Sequence, residues 1–211
     1  MKYLIAYDEA FNFIYRANID ALAAKGEVEW FSPLGDDRLP TCDWLYLPGG
    51  YPELFAQKLA ANTAIRHQIR DYAEQGGHIF AECGGFMYLC KDIDGLPMCG
   101  VLPLSATMQG ARLHLGYRQM EWYGRKWRGH EFHYSTVIEQ PLEDTGVQIH
   151  RLQSTADGSP VPTPIYQYKN VLAGYTHWYW GENSPVPLKF EVEPRPSTLD
   201  SRLSTSPSAE V

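Results

Sequence analysis

The segment Ala81-Glu82-Cys83-Gly84-Gly85 follows a short apolar run, Gly77-His78-Ile79-Phe80, and constrains the fold more than any other stretch. A strand ending in a cysteine among tiny residues reads as a nucleophile elbow, the strand-to-helix turn that lifts one side chain to the top of an α/β sheet. The elbow backbone is tightly turned, so bulky Cβ groups beside it would collide. Ala81 and Gly85 take the two crowded places, and Phe86-Met87-Tyr88-Leu89 can start the following helix. The same residues also fit a buried structural cysteine beside a glycine turn, a common setting for free cysteine. The local pattern leaves both readings open.

The first half of the chain predicts the surroundings an elbow needs. Lys2 to Tyr7, Val28 to Phe31 and Trp44 to Leu47 read as short apolar strands. Ile14 to Lys25 carries Ile14, Ile19, Leu22 and Ala23 at helical spacing. Pro52 to Leu59 and Ala64 to Glu74 also look helical, with Gly76-Gly77 stopping the second. Strands alternating with helices predict an α/β fold with a mostly parallel sheet and helices on both faces. Sites in such sheets lie at the carboxyl ends of the strands, where Asp8-Glu9, Gly49-Gly50 and Cys83 all fall. Val101 to about Thr176 is rich in aromatic and β-branched residues, with turn clusters such as Asp157-Gly158-Ser159. This predicts antiparallel strands added to the parallel core. Residues 1–192 are expected to form one domain. Residues 193–211, in Ser, Pro and charge, are expected to be a disordered tail, with too little apolar surface to offset ordering entropy.

Composition excludes several function classes. A chain of 211 residues with a formal charge of −7 and no basic block is no general nucleic-acid binder. No apolar run approaches the length of a membrane span, and the N-terminus lacks a signal-peptide pattern. Cys42, Cys83, Cys90 and Cys99 form no Cys-x-x-Cys pair and no zinc spacing, so a metal site is not expected. A reducing cytoplasm is the simplest setting, and a cysteine nucleophile survives there as a thiol. No Gly-x-x-x-x-Gly-Lys-Ser/Thr phosphate loop occurs, so nothing suggests an ATP site on this chain.

Several motifs recur in one order. They begin with Asp8-Glu9-Ala10-Phe11-Asn12-Phe13, with Tyr15 and Asn18, and Phe31-Ser32-Pro33-Leu34. Leu45-Tyr46-Leu47-Pro48-Gly49-Gly50-Tyr51-Pro52-Glu53-Leu54 and Ala81-Glu82-Cys83-Gly84-Gly85 come next. Gly100-Val101-Leu102-Pro103, Leu115-Gly116-Tyr117-Arg118 and Arg128-Gly129-His130-Glu131-Phe132-His133-Tyr134-Ser135 complete the set. From Tyr3 to about His177 the chain resembles the glutaminase half of the cobyrinic acid a,c-diamide synthase family of cobalamin biosynthesis. Each motif alone is weak; the ordered set is specific.

The resemblance implies a class I glutamine amidotransferase-like, flavodoxin-like fold and a glutaminase. In the family an ATP-binding half, with Mg²⁺, activates carboxylates of a corrin or related tetrapyrrole, and the glutaminase half supplies ammonia. This chain resembles the second half alone, so L-glutamine and a synthetase domain or subunit are its implied partners. Cys83 would attack the glutamine amide as a thiolate, its pKa lowered by the helix terminus at the elbow or by a base. The implied base is His177 in Tyr175-Thr176-His177, with His133 as the alternative. Gly49, Gly50 and the Gly84 amide would face the oxyanion. Strand alternation puts His130 and Phe132 on one face and Glu131 and His133 on the other, which disfavours a shared metal. His130, Glu131 and His133 are read as lining an interface toward the synthetase and its substrate.

Three departures qualify this. Two residues after His177, where many class I amidotransferases carry a glutamate, stands Tyr179, which favours a Cys-His dyad; Glu182 and Glu131 are possible substitutes. Beyond Trp178 two prolines, Pro185 and Pro187, forbid a long C-terminal helix. Without an ATP-binding half the chain cannot amidate by the family's route. The competing expectation is a catalytically silent paralogue that binds a tetrapyrrole or a partner protein.

Overall fold

Short apolar runs become the centre of one sheet because both of their faces are covered, as parallel strands require. The computed structural model describes residues 1–122, 124–138 and 141–181; the expected tail and Glu182 lie outside the described residues. Strand β1 (Lys2–Ala6) leads through α1 (Arg16–Ala23) to β2 (Glu27–Phe31) and then β3 (Trp44–Leu47). A 3₁₀ turn (Pro52–Phe55), α2 (Ala56–Ala61) and α3 (Thr63–Glu74) follow, then β4 (His78–Glu82) and α4 (Gly84–Leu89). The remaining strands are β5 (Asp92–Ile93), β6 (Leu96–Pro97), β7 (Ser105–Thr107), β8 (His114–Trp122), β9 (Arg125–His133) and β10 (Thr136–Ile138). After them come β11 (Gln148–His150), β12 (Gln153–Ser154), β13 (Ile165–Tyr168), β14 (Val171–Gly174) and β15 (His177–Trp178).

The main sheet has the order β11-β13-β14-β4-β3-β1-β2. β14, β4, β3, β1 and β2 pair in parallel, and β13 and β11 add antiparallel at one edge. A small sheet, β10-β7-β5-β6, and an antiparallel sheet, β12-β8-β9-β15, complete the described architecture. The expected strands and helices of the first half are all present, shifted by a residue or two at their ends.

Strand alternation sorts the core in two. Leu4, Ala6, Leu45, Leu47, Ile79 and Ala81 pack on the side where α2, α3 and α4 contribute Leu59, Ile65, Ile69, Phe86 and Leu89. Tyr3, Ile5, Trp44, Tyr46, Phe80 and Leu172 face the other side. That side is covered by Leu22 of α1 together with Met120, Trp127, Trp178 and Trp180 from the antiparallel sheet and its exit. The second face is therefore roofed mainly by a β-ribbon and aromatic rings rather than by helices alone. Trp44 is its hub, touching Tyr3, Tyr46, Phe80 and Trp180 at 5.9–6.0 Å between ring centroids. Among the described residues no helix is long and apolar enough to cross a membrane.

Gly85 shows why the elbow sequence is so small. A Cβ there would lie 2.0 Å from the Leu47 carbonyl oxygen, a backbone atom that cannot move without breaking β3. Gly85→Ala is expected to cost about 1–3 kcal/mol of stability by overpacking, read as a lower midpoint in urea unfolding with an unchanged slope.

Candidate active site

The elbow is real. Cys83 follows β4 with φ 46° and ψ −102°, the left-handed half of conformational space, which a residue bearing a Cβ enters only when its neighbours hold it there. The hold comes from both flanking strands. Cys83 N–H donates to the Gly174 carbonyl at 2.8 Å, at the end of β14, and Gly85 N–H donates to Pro48 at 2.9 Å, beyond β3. Met87 N–H then donates to the Cys83 carbonyl at 3.0 Å and starts α4.

Cys83 opens into a cleft of about 300 Å³ lined by Phe13, Gly50, Tyr51, Cys83, His130, Phe132 and His177. That volume is at the small end of ligand pockets, about 300–1,000 Å³. His177 reaches Cys83's cleft because β15 pairs with β9, which sets His177 directly opposite His130. Their rings stack at 5.1 Å, and Phe13 packs edge-on against His177 at 4.6 Å. Tyr15 Oη and His130 Nδ1 are 2.8 Å apart. Gly49 supplies the remaining wall: a Cβ there would lie 2.3 Å from His177 Cε1. Its missing side chain makes room for the imidazole. Gly84 and Gly50 meet behind the thiol, where a Cβ on Gly84 would fall 2.9 Å from the Gly50 amide nitrogen.

The loop after β1 forms the front of the cleft. Asp8 accepts from the amides of Ala10 and Leu34, both at 2.9 Å, and from Ser32 Oγ at 2.9 Å, which explains the Asp8 and Phe31-Ser32-Pro33-Leu34 motifs. The loop is stapled to the Gly49-Gly50-Tyr51 turn by Phe13 N–H to Gly49 and Tyr51 N–H to Ala10, each at 3.0 Å.

The sequence matches the family of CobB/CobQ-like glutamine amidotransferase domains over residues 3–185. The chain belongs to this family. It is 40% identical over 188 residues to cobyrinate a,c-diamide synthase of Methanocaldococcus jannaschii, covering 83% of this chain and 40% of that protein. It is 39% identical over 206 residues to the Synechocystis cobyrinate a,c-diamide synthase, covering 89% of this chain and 41% of that one. The chain thus spans about two fifths of the length of these curated relatives. A crystal structure of a glutamine amidotransferase superposes with a TM-score of 0.56 at 22% identity, covering 82% of this chain and 89% of that one. A Thermotoga maritima glutamine amidotransferase gives 0.55 at 11% identity, over 83% and 75% of the two chains. These two likenesses establish the fold.

In this CobB/CobQ-like domain two sequence expectations change. The elbow does not lower the thiol's pKa. Burial pushes Cys83 up to about 12, the carboxylates of Glu53, Glu82 and Glu131 add to the rise, and the Gly84 amide offsets only part of it. A six-residue helix end is too small a counterweight. Burial likewise holds His177 down at about 3, helped by His130 and His133, so thiol and imidazole are both neutral around pH 7. Second, Glu131 and His133 do not line an outer interface: they are 0% and 5% exposed. Glu131 accepts from Thr176 and Thr163 at 3.1 and 2.6 Å and pairs with Arg118 at 2.9 Å. It braces the residue before His177. His133 stacks between Tyr175 and His114 at 3.7 and 4.8 Å, turned away from the cleft. Of the three, only His130 joins the site.

The residue that sequence reasoning passed over is Glu82. Its Oε1 accepts from Trp178 N–H at 2.9 Å and its Oε2 from Tyr46 Oη at 2.7 Å, while Oε2 lies 3.9 Å from His177 Nδ1. The available signal was an acid ending an otherwise apolar, buried strand, Ile79-Phe80-Ala81-Glu82. Burial raises its carboxyl from 4.5 to about 8, against the opposing hydrogen bonds from Trp178 and Tyr46. Between these values the folded chain keeps a proton that the unfolded chain has released, so stability falls as the pH rises through that window. Glu82→Gln has no proton to release. Its melting temperature relative to wild type is expected to climb from about pH 5 to about pH 8, a comparison that paired thermal melts would make.

Proposed function

We propose that this chain is a glutaminase that hydrolyses the side-chain amide of L-glutamine at Cys83 and His177. In this reading the ammonia passes to an ATP-binding synthetase domain or subunit, which uses ATP and Mg²⁺ to activate carboxylates of a corrin or related tetrapyrrole. The observation that carries it is the meeting of Cys83 and His177, far apart in sequence, in one small cleft behind a strained elbow. The length of the relatives supports the partner, since this chain accounts for about two fifths of them.

The chemistry follows from two neutral groups. His177 takes the thiol proton as Cys83 Sγ attacks the amide carbon, and the tetrahedral oxyanion faces the Gly50 and Gly84 amides. The proton then moves to the departing nitrogen, ammonia leaves, and a γ-glutamyl thioester remains. Water, deprotonated by His177, attacks the thioester; glutamate leaves and the thiol recovers its proton. A thiol held near 12 suits transfer within the attack better than a standing thiolate.

The cleft mouth offers a place for the synthetase. Leu115, Tyr117 and Phe132 are 63%, 73% and 43% exposed along one face of the β8–β9 ribbon, beside His130 and the cleft, and Tyr134, 44% exposed, follows just past the end of β9. Apolar exposure of that kind suits a protein partner.

The test is intact-mass analysis after incubation with a glutamine-mimicking electrophile. One adduct is expected, abolished by Cys83→Ala, slowed at least ~10²-fold by His177→Ala and suppressed by glutamine. Absence of any adduct, with the synthetase half also present, would support the silent paralogue that binds a tetrapyrrole or partner.

A further inference from the structure

We propose that Glu82 is the positioning carboxylate of this site, holding the His177 imidazole with Nε2 toward Cys83 and stabilising the imidazolium when the thiol proton arrives. The proposal rests on reading Cys83 and His177 as nucleophile and base. Tyr179 cannot fill this place. Its ring is half-exposed and packs edge-on against Tyr15 at 5.6 Å, and it has no carboxylate to offer.

Three observations converge on Glu82. His177 Nδ1 is buried with no hydrogen-bond partner among the described residues, and Glu82 Oε2 lies 3.9 Å from it. The two side chains are 4% and 2% exposed, so water does not compete for that nitrogen. Finally, Glu82 Oε1 grips the backbone N–H of Trp178, the residue after His177, so one carboxylate fixes both the ring's neighbour and the strand that carries it. Tyr46 Oη, at 2.7 Å, sets the carboxylate's own orientation. Among the described residues no Lys or Arg pairs with Glu82, and a buried carboxylate without a cation is costly, which is why burial raises its pKa. Above about pH 8 the group is ionised, and its charge then stands beside the imidazole that takes the thiol proton.

Neutral His177 carries its hydrogen on Nδ1, directed at Glu82 Oε2, and its free Nε2 lone pair accepts the Cys83 S–H proton. Once Glu82 is ionised, above about pH 8, the imidazolium sits beside its carboxylate while the sulfur attacks as its proton leaves. Later the Nε2 proton leaves with the ammonia. The 3.9 Å gap is about 1 Å too long for a hydrogen bond, as is common before substrate tightens such a site. The arrangement follows the logic by which a buried acid sets the tautomer of a catalytic histidine. Groups facing Glu82 are Tyr46 from β3, Tyr15 from the loop before α1, Cys83 and His177, and His177 is faced in turn by His130, Glu131 and His133.

The experiment follows carboxamidomethylation of Cys83 by iodoacetamide across pH, by peptide-resolved mass spectrometry, with half-buried Cys42 as the internal reference. The chains compared are wild type, Glu82→Gln, Glu82→Asp, His177→Ala and the Glu82→Gln/His177→Ala double variant. Wild type is expected to show a limb rising through about pH 8, where Glu82 ionises. Glu82→Gln should lose that limb and react ~10²-fold more slowly at its top, the low end of acid–base assistance, with Glu82→Asp between the two. The double variant should be no slower than His177→Ala alone, because Glu82 acts through that ring. Wild-type rates and profile in Glu82→Gln would overturn the proposal, as would multiplying effects in the double variant. Near-ultraviolet circular dichroism confirms that each variant is folded. Iodoacetamide reports thiolate formation whatever the amide substrate, so this result is independent of labelling by the glutamine-mimicking electrophile.

Discussion

A non-glycine residue held at φ 46° is the constraint around which the site is arranged. Such a backbone costs about 1–3 kcal/mol and persists only where its surroundings over-determine it. Here β3 and β14, the two neighbours of β4, each lend a carbonyl beyond or at their ends, from Pro48 and Gly174. The elbow therefore depends on β4 lying between parallel strands, and a cysteine in the same pentapeptide at a sheet edge would have no such clamp. Everything else in the site is measured from that fixed thiol: the Gly49-Gly50 turn, the loop through Phe13 and the strand bearing His177.

Burial sets the chemical character of the site. An apolar, crowded cleft raises an acid and lowers a base, which leaves Cys83 and His177 as neutral partners instead of a thiolate–imidazolium pair. Carboxylates near the thiol reinforce this resting state. A neutral pair reacts little with passing electrophiles, and under the proposed reaction the Gly50 and Gly84 amides would supply the stabilisation that makes proton transfer worthwhile. The aromatic enclosure of His177 by Phe13 and His130 removes water from the ring, so the nearest carboxylate matters more than it would at a wet surface.

Much of this was legible in the chain. The four runs at β1, β2, β3 and β4, the helical spacing of α1 and α3, and the elbow at Cys83 depend on local periodicity and on residue size. The pairing of Gly49-Gly50 with Cys83 at strand ends follows from the alternation of strands and helices. Other features were not legible, because they depend on which faces meet. Alternation correctly divided His130 and Phe132 from Glu131 and His133, yet it could not say which side faced inward. The ribbon's docking on Trp178 and Tyr175 decided that. The acid near His177 was sought at position 179, with Glu182 and Glu131 as substitutes, whereas the structure brings Glu82 close from the end of β4.

The sequence alone determined the parallel core, the Gly49-Gly50 turn and the small residues an elbow needs, since a tight backbone admits only small residues and a doubly covered strand mostly apolar ones. Tertiary structure decided which histidine stands by the thiol, which carboxylate stands by that histidine, and how strongly each holds its proton. Those choices are made by strand order and by exclusion of water. Residues 82, 83, 130 and 177 become neighbours only when β4, β9 and β15 come together, and charge acquires its energetic weight only once solvent is gone.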